Sequence, residues 1–168
     1  MKNQDSGSKK KGQIDIILIV VLVLVTFSII TYIGYGVVSD INDELQLDSS
    51  INNLTKNISA TTTAQYPSFN DGIFALAFGL FWIGIIVAAF FSEANPFFFV
   101  IFVIVIIALM LASGMISNMW DDFSADAAYS GYDVQFPVTN YVMDNFMLVL
   151  GVQMFSGFIT LFLKQRLI

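Results

Sequence analysis

The carboxylates are the side chains of this sequence whose clustering could support chemistry. The 168 residues contain no His and no Cys, which excludes thiol nucleophiles, His-based proton transfer, disulfides and the usual zinc and haem ligands. Asp40, Asp43 and Glu44 have the spacing of one helical face, and Asp121 with Asp122 follows a later apolar run. A Ca²⁺ site between the two groups is one interpretation. No EF-hand spacing accompanies them, so we expect solvated acids and predict no metal site, no cofactor and no enzymatic activity.

The centres of the longest apolar runs contain no ionisable residue. Proton relays, ion-coupled carriers and voltage sensors place such groups inside the membrane, so we predict no active transporter made from one chain. Gln153 is the strongest polar residue within these runs. We expect it to hydrogen-bond between helices, with a pore lining as the alternative. Glu93 lies in a short turn, where a solvated charge is expected rather than a proton carrier.

The elements that must position these residues are apolar segments long enough to cross a bilayer. The chain is 57% hydrophobic and 12% charged, whereas soluble domains are about 25% charged. About 20 helical residues cross a hydrocarbon core of roughly 30 Å, and lipid requires each segment to pair its own backbone groups. The predicted spans are 14–38, 72–91, 97–119 and 144–163. The fold class is therefore predicted to be an all-α integral membrane four-helix bundle.

The charges predict that both chain ends lie on one side of the membrane, the inside. Six of the seven basic residues flank the first and last spans, whereas ten of the thirteen acids lie in or beside the two opposite loops. Lys and Arg favour the cytoplasmic side, and four spans require the same arrangement. We expect a flexible basic arm at 1–13 and a basic tail at 164–168. Lysines before an apolar run also fit a signal peptide, but the length of the run favours an uncleaved anchor.

Three segments connect the predicted spans. Residues 39–71 form an acidic outer loop, in which Ile41 to Ile58 predicts an amphipathic helix and 59–71 an extended connector. Residues 92–96 allow only a tight hairpin, so spans two and three are predicted to be antiparallel neighbours. Residues 120–143 form a second outer loop that is both acidic and aromatic.

Three groups of residues are candidates for contacts. The basic arm is expected to face anionic lipid or nucleic acid through Lys9, Lys10 and Lys11. Aromatic side chains of the second loop are expected to face a partner protein or to anchor the chain at the membrane interface: Trp120, Phe123, Tyr129, Tyr132 and Phe136. Helix packing is assigned, besides Gln153, to small residues at short intervals: Ala75, Gly79, Gly84 and Ala88.

The order of these segments resembles that of a known group of membrane proteins. Asn95–Phe99 opens the third span, Asn118–Trp120 closes it, and Phe136–Tyr141 leads into the fourth. With the basic arm and the acidic loops, these segments resemble small four-span proteins of tailless icosahedral viruses and phages that have an internal membrane and double jelly-roll capsids. The resemblance implies a structural protein of the virion membrane, with its outer loops against the capsid shell and its arm towards the genome.

The sequence therefore predicts a non-enzymatic structural or assembly protein that links a viral internal membrane to the capsid shell. Two alternatives remain open: an accessory subunit of a cellular membrane complex, and an oligomeric pore or holin-like channel. The expected partners are the lipid bilayer, other membrane or capsid proteins and, for the pore, further copies of the chain.

Overall fold

Most of the chain that the structure describes is helical. This computed structural model describes the backbone of residues 5–91 and 96–167 and the side chains of residues 19–91, 103–104 and 106–164, and within these ranges it contains no strand. The predicted all-α class is confirmed. The helices are α1 (Asp5–Leu47), α2 (Asn53–Phe91), α3 (Pro96–Ser124), α4 (Pro137–Asp144) and α5 (Phe146–Leu167).

Three of the helices are long and apolar enough to cross a membrane. The qualifying stretches are Ile19–Leu47, Asn53–Phe91 and Phe146–Lys164, which contain most of predicted spans one, two and four. The third predicted span, 97–119, lies within the 29-residue helix α3. Several of its side chains lie outside the described residues.

Helices α1 and α2 form one long antiparallel hairpin. With 43 and 39 residues, they extend roughly 64 Å and 58 Å, about twice the thickness of a hydrocarbon core. Their pairing is continuous along the hairpin: Gln46 bonds to Lys56, the ring of Tyr35 stacks on Tyr66, and Phe27 lies 6.5 Å from Phe74 between ring centroids.

The polar tract 59–71 is helical, so the prediction of an extended connector is wrong. Pro67 lies inside α2, where it removes one backbone hydrogen bond. Nearby side chains bond to the carbonyls of their own helix: Thr63 Oγ1 donates to Ser59 O at 3.0 Å, and Asn70 Nδ2 donates to Tyr66 O at 2.9 Å. Such bonds to the carbonyl four residues earlier are compatible with a helix but do not stabilise it. Packing against α1, for example of Tyr66 on Tyr35, therefore keeps this polar sequence helical.

Helix α1 begins at Asp5, inside the segment 1–13 that the sequence assigns to a flexible arm. Its 43 residues contain no proline, so nothing in the sequence interrupts the backbone hydrogen bonds as the helix extends back from the apolar run. Lys9, Lys10 and Lys11 belong to this helix, but their side chains lie outside the described residues.

Helix α5 contacts both α2 and α3. Gly157 of α5 contacts Ile85 of α2, while Gly151 of α5 faces Met110 of α3. Along the α2–α5 contact the residue numbers of both helices increase in the same direction, so these two helices are parallel. Along the α3–α5 contact the numbers increase in opposite directions. Helices α2 and α3 are therefore antiparallel, as predicted. Among the described residues α5 packs against both α2 and α3. The turn between α2 and α3 and the side chains at the start of α3 lie outside the described residues, so the prediction that the two helices are direct neighbours stays a prediction.

The short helix α4 packs against α2, α3 and α5 at one end of the helices. We call this the loop end, because residues 125–136 join α3 to α4 there; α1 and α2 continue past it to the turn at residues 48–52. Several of the largest fully buried side chains lie at this end: Tyr32, Phe74, Phe136, Met143 and Phe146. The best-packed part of the molecule is therefore near the loops.

Candidate functional site

Asp71 of α2 attaches helix α4 to the rest of the molecule. Its carboxylate accepts hydrogen bonds from the backbone N–H of Val138 at 3.0 Å, the backbone N–H of Thr139 at 2.7 Å and the Thr139 hydroxyl at 2.8 Å. Asp71 is only 6% exposed. Phe136, at the N-cap position of α4, supplies no side-chain bond, so a carboxylate from another helix caps the positive end of α4. The sequence placed Asp71 in a loop and missed this role.

The aromatic residues of the second loop pack onto α1. The ring of Tyr32 lies 4.8 Å from that of Trp120 and 5.0 Å from that of Phe136, and an edge contact joins Tyr35 to Tyr132 at 4.9 Å. We call this group the aromatic cluster: Tyr32, Tyr35, Trp120, Phe123, Tyr129, Tyr132 and Phe136. Its interplanar angles are mostly tilted or T-shaped, which are the favourable arrangements for aromatic rings.

The aromatic cluster corrects part of the predicted docking surface. Trp120 is 2% exposed and Phe136 is fully buried, so these two rings face the protein interior rather than a partner. The reason is that α1 supplies an aromatic surface on which the loop can fold. Phe123, Tyr129 and Tyr132 are half-buried at its edge, and their prediction as partner-facing residues stays a prediction.

Asn140 of α4 is the polar centre of the aromatic cluster. Its Oδ1 accepts hydrogen bonds from the indole N–H of Trp120 at 3.0 Å and from the hydroxyl of Tyr32 at 3.3 Å. Its Nδ2 donates to the carboxylate of Asp144 at 2.9 Å. One amide thus satisfies the polar groups of two buried rings. Sequence reasoning missed Asn140, although its spacing of four residues from Asp144 on a helix was visible.

Asp144 lies at the junction of α4 and α5, close to a second carboxylate. Burial raises the pKa of Asp144 above its ordinary value, and the nearby charge of Asp121 raises it further. The backbone carbonyl of Asp144 accepts a hydrogen bond from Ser117 of α3. A partly desolvated negative charge therefore lies where α3 and α5 meet at the loop end.

The turn between α1 and α2 is closed by exposed polar groups. Ser50 donates from its backbone N–H and from its hydroxyl to one oxygen of Asp48, at 2.8 Å and 2.7 Å, and these bonds lower the pKa of Asp48. Asn52 caps α2 by accepting from the N–H of Thr55 at 2.8 Å. Lys56 Nζ donates to the carbonyl of Gln46 at 2.8 Å. We call this turn, together with the adjoining parts of α1 and α2 (residues 36–65), the projecting hairpin.

Large apolar side chains on the projecting hairpin are open to the surroundings. Leu47 is 86% exposed and Leu54 is 69% exposed, and Ile41 and Ile58 are also exposed. The predicted amphipathic helix from Ile41 to Ile58 is interrupted, because α1 ends at Leu47 and α2 begins at Asn53. Its apolar residues are therefore divided between two helices and the turn that joins them.

At Gly79 and Gly84, two of the small residues predicted to pack helices together, no described residue of another helix comes close. A Cβ added to Gly79 or Gly84 would meet no atom within 4 Å, Ala88 is exposed and Ala75 is only half-buried. Close approaches occur instead at other glycines. A Cβ on Gly157 would lie 2.8 Å from Ile85 Cγ2, and one on Gly34 would meet the hydroxyl of Tyr66. Short spacing between small residues could not reveal which helix face meets a neighbour.

Gln153 is fully buried, but the predicted interhelical hydrogen bond is absent from the described residues. Neither its Oε1 nor its Nε2 has a partner there. The polar contact between α2 and α5 lies three residues further along, where the indole N–H of Trp82 donates to the hydroxyl of Ser156 at 2.8 Å.

The acidic groups proposed as a cation site are not brought together. Within the side chains that the structure describes, no three His, Cys, Asp or Glu residues are placed to hold a metal ion.

Comparison of the chain with protein-family models, with curated proteins and with solved structures found no match in any of the three.

Proposed function

We propose that this chain is a non-enzymatic assembly protein of a membrane, and that the projecting hairpin is where it docks onto a partner. In this proposal four helices cross the bilayer, both chain ends lie on the inner side, and the loop end faces outwards. The setting that agrees with the resemblance of the sequence is the internal membrane of a virus, with a capsid shell as the partner.

The aromatic cluster suggests where the bilayer ends. Tyr and Trp favour the headgroup level of membranes. Trp120 contacts Tyr32 of α1, and Tyr66 contacts Tyr35 one turn further along α1, so these rings lie at one level near the loop end. If this level is the outer interface, the part of α1 from Gly36 to Leu47 extends about 18 Å beyond it.

The proposal rests on one observation, the exposed apolar side chains of the projecting hairpin. Leu47, Leu54 and Ile58 belong to a part of the molecule rich in Asp, Asn, Ser and Thr, and yet they are open to the surroundings. Exposed apolar residues with a polar rim are typical of protein interaction sites. Leu47 and Leu54 lie on the ends of two helices rather than on a free loop, which reduces the entropy lost on binding.

An accessory subunit of a cellular membrane complex would also dock through the projecting hairpin. The identity of the bound partner therefore distinguishes the viral setting from the cellular one. The pore alternative has less support. Ser28, Ser113 and Gln153 are buried in the helix packing, whereas a pore needs polar side chains along an open helix face.

The orientation can be tested by cysteine labelling, since the chain has no Cys of its own. We would introduce Ser50→Cys in the turn, Ser130→Cys in the second loop and Ser8→Cys near the amino end. A membrane-impermeant maleimide applied to intact cells is expected to label the first two, and Ser8→Cys only after permeabilisation. Labelling of all three in intact cells, or of Ser8→Cys alone, would contradict the proposed topology.

Docking can be tested by site-specific photo-cross-linking from the hairpin in the membranes or particles that contain the protein. A photoreactive residue at Leu54 is expected to give one protein adduct, and the same residue at exposed Thr62 is the control. An adduct with a shell protein supports the viral setting, and one with a membrane-complex subunit supports the alternative. Lipid adducts alone at Leu54 would overturn docking.

A further inference from the structure

A groove of about 780 Å³ runs along the contact between α3 and α5. Its apolar part is formed by Ile106, Met110, Leu148, Val152 and Phe155. From Ile106 to Asn118 the helical rise gives a length of about 18 Å, close to the roughly 15 Å that one leaflet contributes to a hydrocarbon core. The groove therefore has the length of one lipid chain.

Glycine and methionine form the floor of this groove. Gly114 of α3 faces Met147 of α5, and Gly151 of α5 faces Met110 of α3, with added Cβ atoms 3.4 Å and 3.2 Å from the nearest methionine atoms. The two glycines let the methionine side chains lie flat along the floor, and methionine is flexible enough to adapt to an irregular apolar chain.

Among the described residues that line the groove, the hydrogen-bonding side chains lie at the end next to the loop end. There the lining residues are Ser117, Asn118, Asp144 and Asn145. Asp144 and Asn145 are exposed, and Asp121 adds a second negative charge beside Asp144. Lys56, the basic residue of the projecting hairpin, bonds to the Gln46 carbonyl instead. The polar end thus offers oxygen acceptors and excess negative charge, which a cationic hydrogen-bond donor complements.

We propose that the α3–α5 groove binds one phospholipid with a primary-amine headgroup, such as phosphatidylethanolamine. The acyl chain lies against Gly114 and Gly151, and the ammonium group donates hydrogen bonds to Asp144 and to the amide oxygens of Asn118 or Asn145. This inference rests on the proposed membrane orientation, which puts the polar end of the groove at the headgroup level. A choline headgroup has no N–H to donate, and an anionic headgroup is repelled by the two carboxylates.

The experiment is native mass spectrometry of the full chain, released from nanodiscs that contain equal amounts of phosphatidylethanolamine, phosphatidylcholine and phosphatidylglycerol. The wild type is expected to retain one phosphatidylethanolamine, about fivefold more often than either other lipid. Asp144→Asn is expected to remove this preference. Gly151→Leu fills the groove and is expected to abolish retention of all three lipids.

Gly79→Leu is the matched control, because Gly79 is a half-buried glycine of α2 with open space around its Cβ position. This variant is expected to retain the lipid as the wild type does. Circular dichroism of each variant checks that the helices are intact. Equal retention of the three lipids by the wild type, or retention unchanged by both groove variants, would overturn the inference. A dimer that Gly151→Leu dissociates would also overturn it, since a second copy would then occupy the groove.

The maleimide labelling of Ser50→Cys and Ser8→Cys separates this inference from the topology on which it rests. Normal labelling without selective lipid retention rejects the lipid site alone. Labelling that contradicts the topology rejects both.

Discussion

The two connections on the loop-end side of the molecule are built in opposite ways. The turn between α1 and α2 is closed by exposed bonds between residues near in sequence, such as Ser50 to Asp48 and Thr55 to Asn52. The connection between α3 and α5 is closed by buried bonds between distant residues, with Asp71 on α2 binding Thr139 on α4. Exposed hydrogen bonds contribute little to the stability of the fold because water competes for the same groups, whereas the loss of a buried hydrogen bond costs much more stability. The second connection should therefore be much more sensitive to substitution.

The largest effect is expected for Asp71→Ala. Three donors at the start of α4 would lose their acceptor in a buried site, so we expect a loss of about 3 kcal/mol in the free energy of unfolding. Asp71→Asn keeps one oxygen and should give an intermediate loss. Thermal unfolding in detergent micelles, followed by tryptophan fluorescence, measures both. Asp126→Ala removes an exposed bond to the N–H of Ala128 and is the control, and equal effects at the two positions would contradict the comparison.

The next effect is expected for Gly157→Ala at the α2–α5 contact. The new Cβ would lie 2.8 Å from Ile85 Cγ2, and the branched side chain of Ile85 has little freedom to move. We expect a loss of about 2 kcal/mol from the forced separation of the helices. Gly84→Ala, which meets open space, should be neutral or slightly stabilising, because alanine favours helix. A larger loss at Gly84 would show that the contact between α2 and α5 is placed incorrectly.

Replacement of Gln153 should stabilise the protein. The buried amide has no partner among the described residues, so Gln153→Met, of similar length, removes desolvated polar atoms and keeps the packing. We expect a gain of about 1 kcal/mol, measured as a higher unfolding midpoint in the same detergent. A loss of stability would indicate that the amide has a hydrogen-bond partner after all.

A smaller effect is expected in the turn of the projecting hairpin. Asn52→Ala removes the cap of α2 and should cost about 1 kcal/mol or less, since Asn52 and Thr55 are exposed. Asn53→Ala, one residue later and without a capping bond in the turn, is the matched control. Hydrogen exchange at the first amides of α2 is the sensitive measurement, and unchanged protection in Asn52→Ala would reject the capping role.

The two connections should also respond oppositely to pH. The pKa of Asp144 is raised by burial, so the folded state holds its proton more strongly, and this contribution to stability decreases as pH rises from the ordinary Asp value through the raised one. The pKa of Asp48 is lowered by Ser50, so its contribution is present above the ordinary value and is lost as pH falls through the lowered one. In lipid-free detergent, Asp144→Asn should remove the decrease in stability with rising pH, and Asp48→Asn should remove the decrease with falling pH. Unfolding midpoints measured across pH test both.

The helices and their sequence positions were largely predictable, because length and apolar composition suffice to indicate a membrane-crossing helix. The helical tract around Pro67 was not, since its polar composition and its proline favour an extended segment, and packing against α1 holds it as a helix. The packing residues were also missed. The sequence pointed to Gly79 and Gly84, and the close contacts are at Gly34, Gly151 and Gly157.

By itself the sequence determined the helical class, the presence of apolar segments long enough for a bilayer, the absence of thiol and imidazole chemistry and the separation of basic ends from acidic loops. Among the described residues, three helices have that length and apolarity. These properties follow from composition and from distances along the chain. Tertiary structure decided that Asp71 caps α4, that Trp120 and Phe136 are buried and that α5 packs against both α2 and α3. Such contacts join residues far apart in sequence, and their energies depend on which helix faces meet, which a one-dimensional pattern does not contain.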